Sequence, residues 1–242
     1  MAIFKESYKV SIENINKETL ISNLGMLRIL EDIACSHSDQ NGFGINDISR
    51  THLSWFLLAW KVKILKRCPY ASTLTVHTWA SNSNKFQTYR DFEVYDENNE
   101  LICRASSKWT LIDISKGNIT RITDKIMTPY APEPTHHTFE NFEIDKLLEP
   151  TEFTSEYIYK TQRRDIDVNE HMHNLNYLSL AYEALPEEVY LSPECNNIEI
   201  MYKKGIKFGD TVKCLYSFMD NSHFVTMKSE DDKTLYAIVK LY

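Results

Sequence analysis

Glycine and proline are scarce, with 6 and 7 copies among 242 residues, while Phe, Trp and Tyr make up 12%. That balance suits long strands facing a helix better than a turn-rich scaffold. The five cysteines, Cys35, Cys68, Cys103, Cys195 and Cys214, are odd in number and contain no C-x-x-C pair. A disulfide framework and a zinc knuckle are thereby excluded, and reduced thiols are expected. The opening MAIFKESYKV carries charge where a secretory leader needs an apolar run, and the longest apolar run, Trp55 to Trp60, is too short to span a bilayer. The expectation is a soluble, cytoplasmic protein without a membrane span. Basic excess is also lacking: 27 Lys and Arg stand against 34 Asp and Glu, a net charge of -7. This argues against a nucleic-acid partner, whose phosphates demand a basic face. No G-x-S-x-G elbow or Walker loop occurs, and Gly42-Phe-Gly44 lacks the third glycine of a dinucleotide fingerprint, so a serine hydrolase or nucleotide enzyme is not expected.

What is present is periodic. Leu24, Leu27, Leu30 and Ala34 share one face of a helix expected over about 24–38, with Ser22 or Asn23 as N-cap and Gly42 closing its exit. Strand-like alternation follows in Trp60–Val62–Ile64, TLTVHTWA, KFQTYRDFEVYD and LICRASSKWTLIDI, with DENNE at Asp96–Glu100 as a turn. Three prolines between Pro129 and Pro134 mark a linker. The second half repeats the plan. NLGMLRILEDIA from Asn23 matches NLNYLSLAYEAL from Asn174, KRCPYASTL matches KGIKFGDTV, and DENNELICRA matches EDDKTLYAIV, at offsets of 151, 138 and 134 residues. Their common order points to duplication with trimmed loops. The expected architecture is α+β, each copy a long helix and several antiparallel strands whose sheet hides the helix's apolar face. The expected organisation is a domain over 1–130, a linker over 131–149 and a second domain over 150–242.

The segment DIDVNEHMHNLNYLSLAYEALP, from Asp165 to Pro186, concentrates the chemistry. Asp165, Asp167 and Asn169 match the first three ligands of an EF-hand loop, but its sixth position is Glu170 and its twelfth Asn176, so calcium lacks its turn and bidentate ligand. His171, His173 and Asp167 suggest a transition metal only weakly, since H-x-H is common without one. No metal or cofactor is expected. Hydrolysis of an ester or thioester asks for less. Asp167 activates water or attacks, Asn169 orients, His171 moves the proton, and the backbone N–H groups of a helix starting near Asn174 face the oxyanion. The bland alternative is a loop capping a helix, with Asn174 as N-cap. At the offset of 151 the first copy carries Asn16, Glu18 and Leu20 instead, so capping alone does not require the histidine. The other six histidines are expected on the surface or satisfied in the core.

These residues resemble the acyl-acyl-carrier-protein thioesterases of bacteria and plant plastids, whose second half carries D-x-N-x-H-x-N-N-x-x-Y entering a helix. Here Asp167, Asn169, His171, Asn174 and Tyr177 fill that pattern, with Glu183 and Pro186 beyond, and HLSWFLLAWKVKILKRCPYASTLTVHTWA, YRDFEVYD and SSKWTLID extend the resemblance over the first half. It implies a tandem (double) hot dog fold, an acyl chain housed in the N-terminal copy, and hydrolysis of a fatty acyl thioester. It also implies an acyl carrier protein as partner, with Asp167, Asn169 and His171 catalytic and Asn174 and Tyr177 on the substrate side. Homodimerisation is a further option of such units. Two departures stand out: His173 replaces the first paired asparagine, and Gly205 stands where the family has a glutamate before Gly-Asp, with Ile206 where the plant enzymes have cysteine. These departures make a non-catalytic acyl-binding module one alternative, and an acyl-CoA thioesterase is a second, separated only by comparing carrier-linked with CoA-linked substrates. Docking of an acidic carrier is expected at Lys61, Lys63, Lys66 and Arg67, or at Lys203, Lys204 and Lys207.

Overall fold

Side chains that alternate between buried and exposed along a strand can pair into a sheet with one dry face, and a helix with one apolar stripe then covers that face. The computed structural model describes residues 3–242, and the chain divides into two units, one ending at Ile144 and the other beginning at Asp145. The first contains β1 (Phe4–Lys9), α1 (Asn23–Gln40), α2 (Ile48–Thr51), β2 (Leu53–Ile64), β3 (Thr73–Ser83), β4 (Thr88–Tyr95), β5 (Leu101–Asp113), β6 (Asn118–Ile119) and α3 (Asp124–Met127). Its strands pair antiparallel in the order β1-β3-β4-β5-β2, with β6 beside β5.

Ser22 starts α1 by accepting the Gly25 N–H at 2.9 Å, and Gly42, at φ +77°, closes its exit. Leu27, Leu30 and Ile33 turn inward and are at most 1% exposed. Each such buried aliphatic contributes about 1.5–3 kcal/mol against leaving it in water. The DENNE turn joins β4 to β5 through Asp96 N–H to the Glu100 carbonyl, with Asn99 left-handed at φ +59°. After α3 the proline-bearing segment lies along the first unit: Trp79 Nε1 donates to the His136 carbonyl at 2.9 Å, and the two rings stack at 4.4 Å.

The second unit contains β7 (Ser155–Lys160), α4 (Asn174–Glu183), α5 (Glu187–Tyr190), β8 (Asn197–Tyr202), β9 (Thr211–Met219), β10 (Ser222–Ser229) and β11 (Leu235–Leu241). Its order, β7-β9-β10-β11-β8, is that of the first unit strand for strand, again antiparallel. The three repeat offsets join equivalent starts: Asn23 and Asn174 open α1 and α4, Thr73 and Thr211 open β3 and β9, and Leu101 and Leu235 open β5 and β11. The shortening falls in a helix as well as in the expected loops, with 18 residues in α1 against 10 in α4. Leu147 packs with Met201, Phe224 and Ile238 on this unit's own sheet. Among the described residues, no helix is long and apolar enough to cross a membrane.

Candidate active site

The loop between residues 163 and 173 is a structural copy of the loop between 12 and 22. In the first unit Asn16 Oδ1 accepts the N–H groups of Glu18 at 3.1 Å and Leu20 at 3.2 Å. In the second Asp167 Oδ1 accepts those of Asn169 at 2.8 Å and His171 at 3.4 Å. Backbone bonds repeat as well: Asn16 N–H to Leu20 O becomes Asp167 N–H to His171 O, and Ile21 N–H to Cys68 O becomes Met172 N–H to Ile206 O. The bridge Ile15–Ile21 recurs as Ile166–Met172, and Thr19 and Glu170 both take φ +62°. This is an Asx-type turn, for which an amide serves as well as a carboxylate. The negative charge at Asp167 therefore exceeds what the turn requires.

His171 Nδ1 lies 2.7 Å from the Asn169 carbonyl oxygen. A carbonyl only accepts, so Nδ1 carries a proton. Asp167, Asn169 and His171 thus occupy a single half-buried loop. Asn174 is the first residue of α4, and His173 takes the N-cap position assigned to Asn174 in the capping reading. The helix starts one residue earlier than that reading had it, with the His173 N–H turned back to the Asp165 carbonyl at 2.8 Å. Ser22 caps α1, whereas His173 makes no side-chain cap bond to α4. The N–H of Asn176, the equivalent of Gly25, bonds the His173 carbonyl at 2.9 Å instead, and the helix start carries the positive end of the α4 dipole.

Tyr177 is 3% exposed, meets Tyr202 edge-on at 5.1 Å, and accepts the Ile206 N–H at its hydroxyl at 3.2 Å. Burial pushes this phenol up to about 12. Its direct contacts are with Tyr202 at the end of β8 and with Ile206 in the loop between β8 and β9. Beneath the loop, Asp165 is buried and its Oδ2 accepts Tyr159 OH at 2.8 Å and Gln162 N–H at 2.7 Å. A cleft of about 300 Å³ lies between β7 and α4, lined by Tyr157, Tyr159, Met172, Asn176 and Leu180 among others.

Three of the histidines outside the loop are held by local partners. His37 Nδ1 accepts from Arg90 at 2.8 Å and its ring stacks on Phe4, His137 Nδ1 lies 3.4 Å from Asp91, and His223 meets Tyr216 OH at 3.0 Å. Of the two basic runs, the first is largely engaged within its unit. Lys66 binds Asp96 and Glu100, Arg67 binds Ile21 O and Asn23 Oδ1, and Lys61 lies over the Phe139 ring. Lys204 and Lys207 are exposed and form no ion pair among the described residues. Gly205, between them, is the feature that motif reading undervalued. A side chain built there would strike the His171 ring.

The family model described as Acyl-ACP thioesterase N-terminal domain matches residues 1–130, and that for the C-terminal domain matches residues 148–240. The chain is 27% identical over 225 residues to oleoyl-acyl carrier protein thioesterase 2, chloroplastic, of Arabidopsis thaliana, covering 86% of this chain and 60% of that one. It is 22% identical over 213 residues to dodecanoyl-[acyl-carrier-protein] hydrolase, chloroplastic, of Umbellularia californica, covering 84% and 56%. The chain spans about three fifths of the length of the curated relatives it matches. Among solved structures, the 12:0-ACP thioesterase from Umbellularia californica superposes with a TM-score of 0.86 at 19% identity, over 100% of this chain and 96% of that one. An acyl-ACP thioesterase from Bacteroides thetaiotaomicron gives 0.81 at 18% identity, over 99% and 97%.

Proposed function

The chain belongs to the acyl-ACP thioesterase family, and from that premise we propose that it hydrolyses a fatty acyl thioester of acyl carrier protein to free fatty acid and carrier thiol. Each unit is read as one hot dog, a helix wrapped by a curved antiparallel sheet, and the chain as a tandem of two. The observation that carries the activity is the paired loop. Both units build the same turn, yet where the first has Asn16, Glu18 and Leu20 the second has Asp167, Asn169 and His171, so only the second puts the carboxylate at the turn-forming position and adds an imidazole. In this reading Asp167 takes the proton of the attacking water or attacks the carbonyl itself, and Asn169 orients the attacking group with its amide. Its carbonyl holds the Nδ1–H of His171, and His171 takes up at Nε2 the proton released by the water and delivers it to the departing thiolate. The start of α4 at Asn174 faces the developing oxyanion with N–H groups and a positive dipole end. Tyr177 acts on the substrate side through the Ile206 segment that it braces.

The carrier protein is the proposed partner, docked at Lys203, Lys204 and Lys207 on the segment that also carries Gly205. The first basic run is less suited, since Lys66 and Arg67 are already bonded. The test is thiol release by the purified chain across acyl-carrier and acyl-CoA substrates of graded length. Release from the carrier series is expected. Release from acyl-CoA alone would move the substrate class, and acyl-ligand binding with no release in either series would make the chain a binding module.

A further inference from the structure

We infer that Gly205 is the residue that seats the His171 imidazole, a positioning residue for the hydrolysis proposed above, on which its catalytic meaning rests. A Cβ at position 205 would lie 2.3 Å from Cδ2, 2.9 Å from Cγ and 3.1 Å from Nε2 of His171. Contacts that short do not exist between real atoms, so the ring occupies the space a side chain would take. Neither partner has an easy retreat. Ile206, next to Gly205, is held on both sides, its N–H by Tyr177 OH at 3.2 Å and its carbonyl by Met172 N–H at 2.8 Å. Cγ sits at the root of the imidazole, so moving it means rotating the side chain at χ1. Rotation there breaks the 2.7 Å bond from Nδ1 to the Asn169 carbonyl, which sets the tautomer.

The first unit shows the alternative arrangement of the same two positions. There Arg67 stands at the equivalent of Gly205 and Leu20 at that of His171. Arg67 reaches over the start of α1 to Ile21 O at 2.9 Å and Asn23 Oδ1 at 2.8 Å. A long side chain at 205 would follow that path over Met172 and Asn174, onto the helix start proposed to face the oxyanion. Removing the side chain thus does two things in the second unit: it admits the imidazole and takes away the arm that Arg67 lays across the start of α1. The glutamate that the family resemblance places at this position and the observed His171 pose need the same space. Gly205 and this His171 pose therefore go together.

The test is a cycle of Gly205→Ala, His171→Ala and the double variant. The Gly205 backbone lies outside the left-handed region, so alanine adds no backbone strain and the change reports on the ring contact. Gly205→Ala is expected to lower kcat at least tenfold with KM for the acyl carrier within about twofold, as a misplaced catalytic group does. Nitrogen-15 NMR of the histidine rings should show His171 losing its fixed Nδ1–H tautomer, and the melting temperature should fall. In the His171→Ala background the same glycine change should leave rate and melting temperature unmoved. An unchanged tautomer in Gly205→Ala, or a full loss of stability from the glycine change with His171 already removed, would overturn the inference. The NMR and melting arms decide this even if the wild-type protein releases no thiol, an outcome that would count against the proposed function alone.

Discussion

Asp167→Asn separates the turn from the chemistry at one position, because the first unit already shows what asparagine does there. Asn16 holds its turn with bonds of 3.1 and 3.2 Å where Asp167 has 2.8 and 3.4 Å. The fold therefore loses only the extra strength of a charged acceptor, about 1 kcal/mol, or roughly 2–4 °C in melting temperature for a chain of this size. Loss of the carboxylate is a different matter. If it activates or replaces the attacking water, kcat should fall by about 10²–10⁴, of which a hundredfold alone corresponds to about 2.7 kcal/mol of barrier. The assay is thiol release at saturating acyl carrier, run beside a circular-dichroism melt of the same preparation. A melt within a few degrees of wild type and a rate within about threefold would refute the reasoning, since Asp167 would then be only the turn-former that Asn16 is. Asn16→Asp, the reciprocal change, should leave the rate untouched.

Other outcomes follow from single contacts. Ser22→Ala removes the α1 cap and should cost about 1 kcal/mol in denaturant unfolding, with no effect on KM. Burial and the Arg90 charge lower the pKa of His37 to about 3, so the unfolded chain binds the extra proton between pH 6.5 and about 3. Stability should therefore fall with falling pH through that window, by up to about 1.4 kcal/mol per unit, and His37→Gln should flatten the slope measured by urea unfolding. Cys103 and Cys214 are fully buried, and desolvation holds Cys214 up at about 12, so both should resist iodoacetamide at pH 8 until the chain is unfolded. Reversing Lys204 and Lys207 to glutamate should raise KM for the carrier-linked substrate while sparing a small thioester. Equal effects on both substrates would argue against docking there.

The helix over Asn23–Gln40, its Ser22 cap and its Gly42 exit were legible because they rest on short-range spacing, and the DENNE turn was legible for the same reason. The duplication was legible because its offsets join residues that open equivalent helices and strands. Strands β1 and β7 were harder, since edge strands written FKESYK and SEYIYK bury only part of their length and carry little apolar alternation. The loop motif pointed to Asp167, Asn169 and His171, but not to the division of labour within it. That required the first-unit loop beside it, where Asn16 makes the same bonds. Gly205 was legible only as a missing glutamate. Its contact with His171 joins residues 34 positions apart on different elements and depends on the absence of an atom, which no spacing rule reports. The basic runs looked alike in sequence and diverged in structure, because Asp96 and Glu100, far along the chain, take up Lys66.

The most direct test of the central claim is the rate of thiol release from long-chain acyl carrier protein by the wild-type chain and by His171→Ala at equal, verified folding. The loop reading predicts free fatty acid and carrier thiol in equal amounts from the wild type and a loss of about a hundredfold or more in the variant. Equal rates from the two proteins would remove His171 from the mechanism and contradict the assignment of the Asp167–His171 loop as the hydrolytic site.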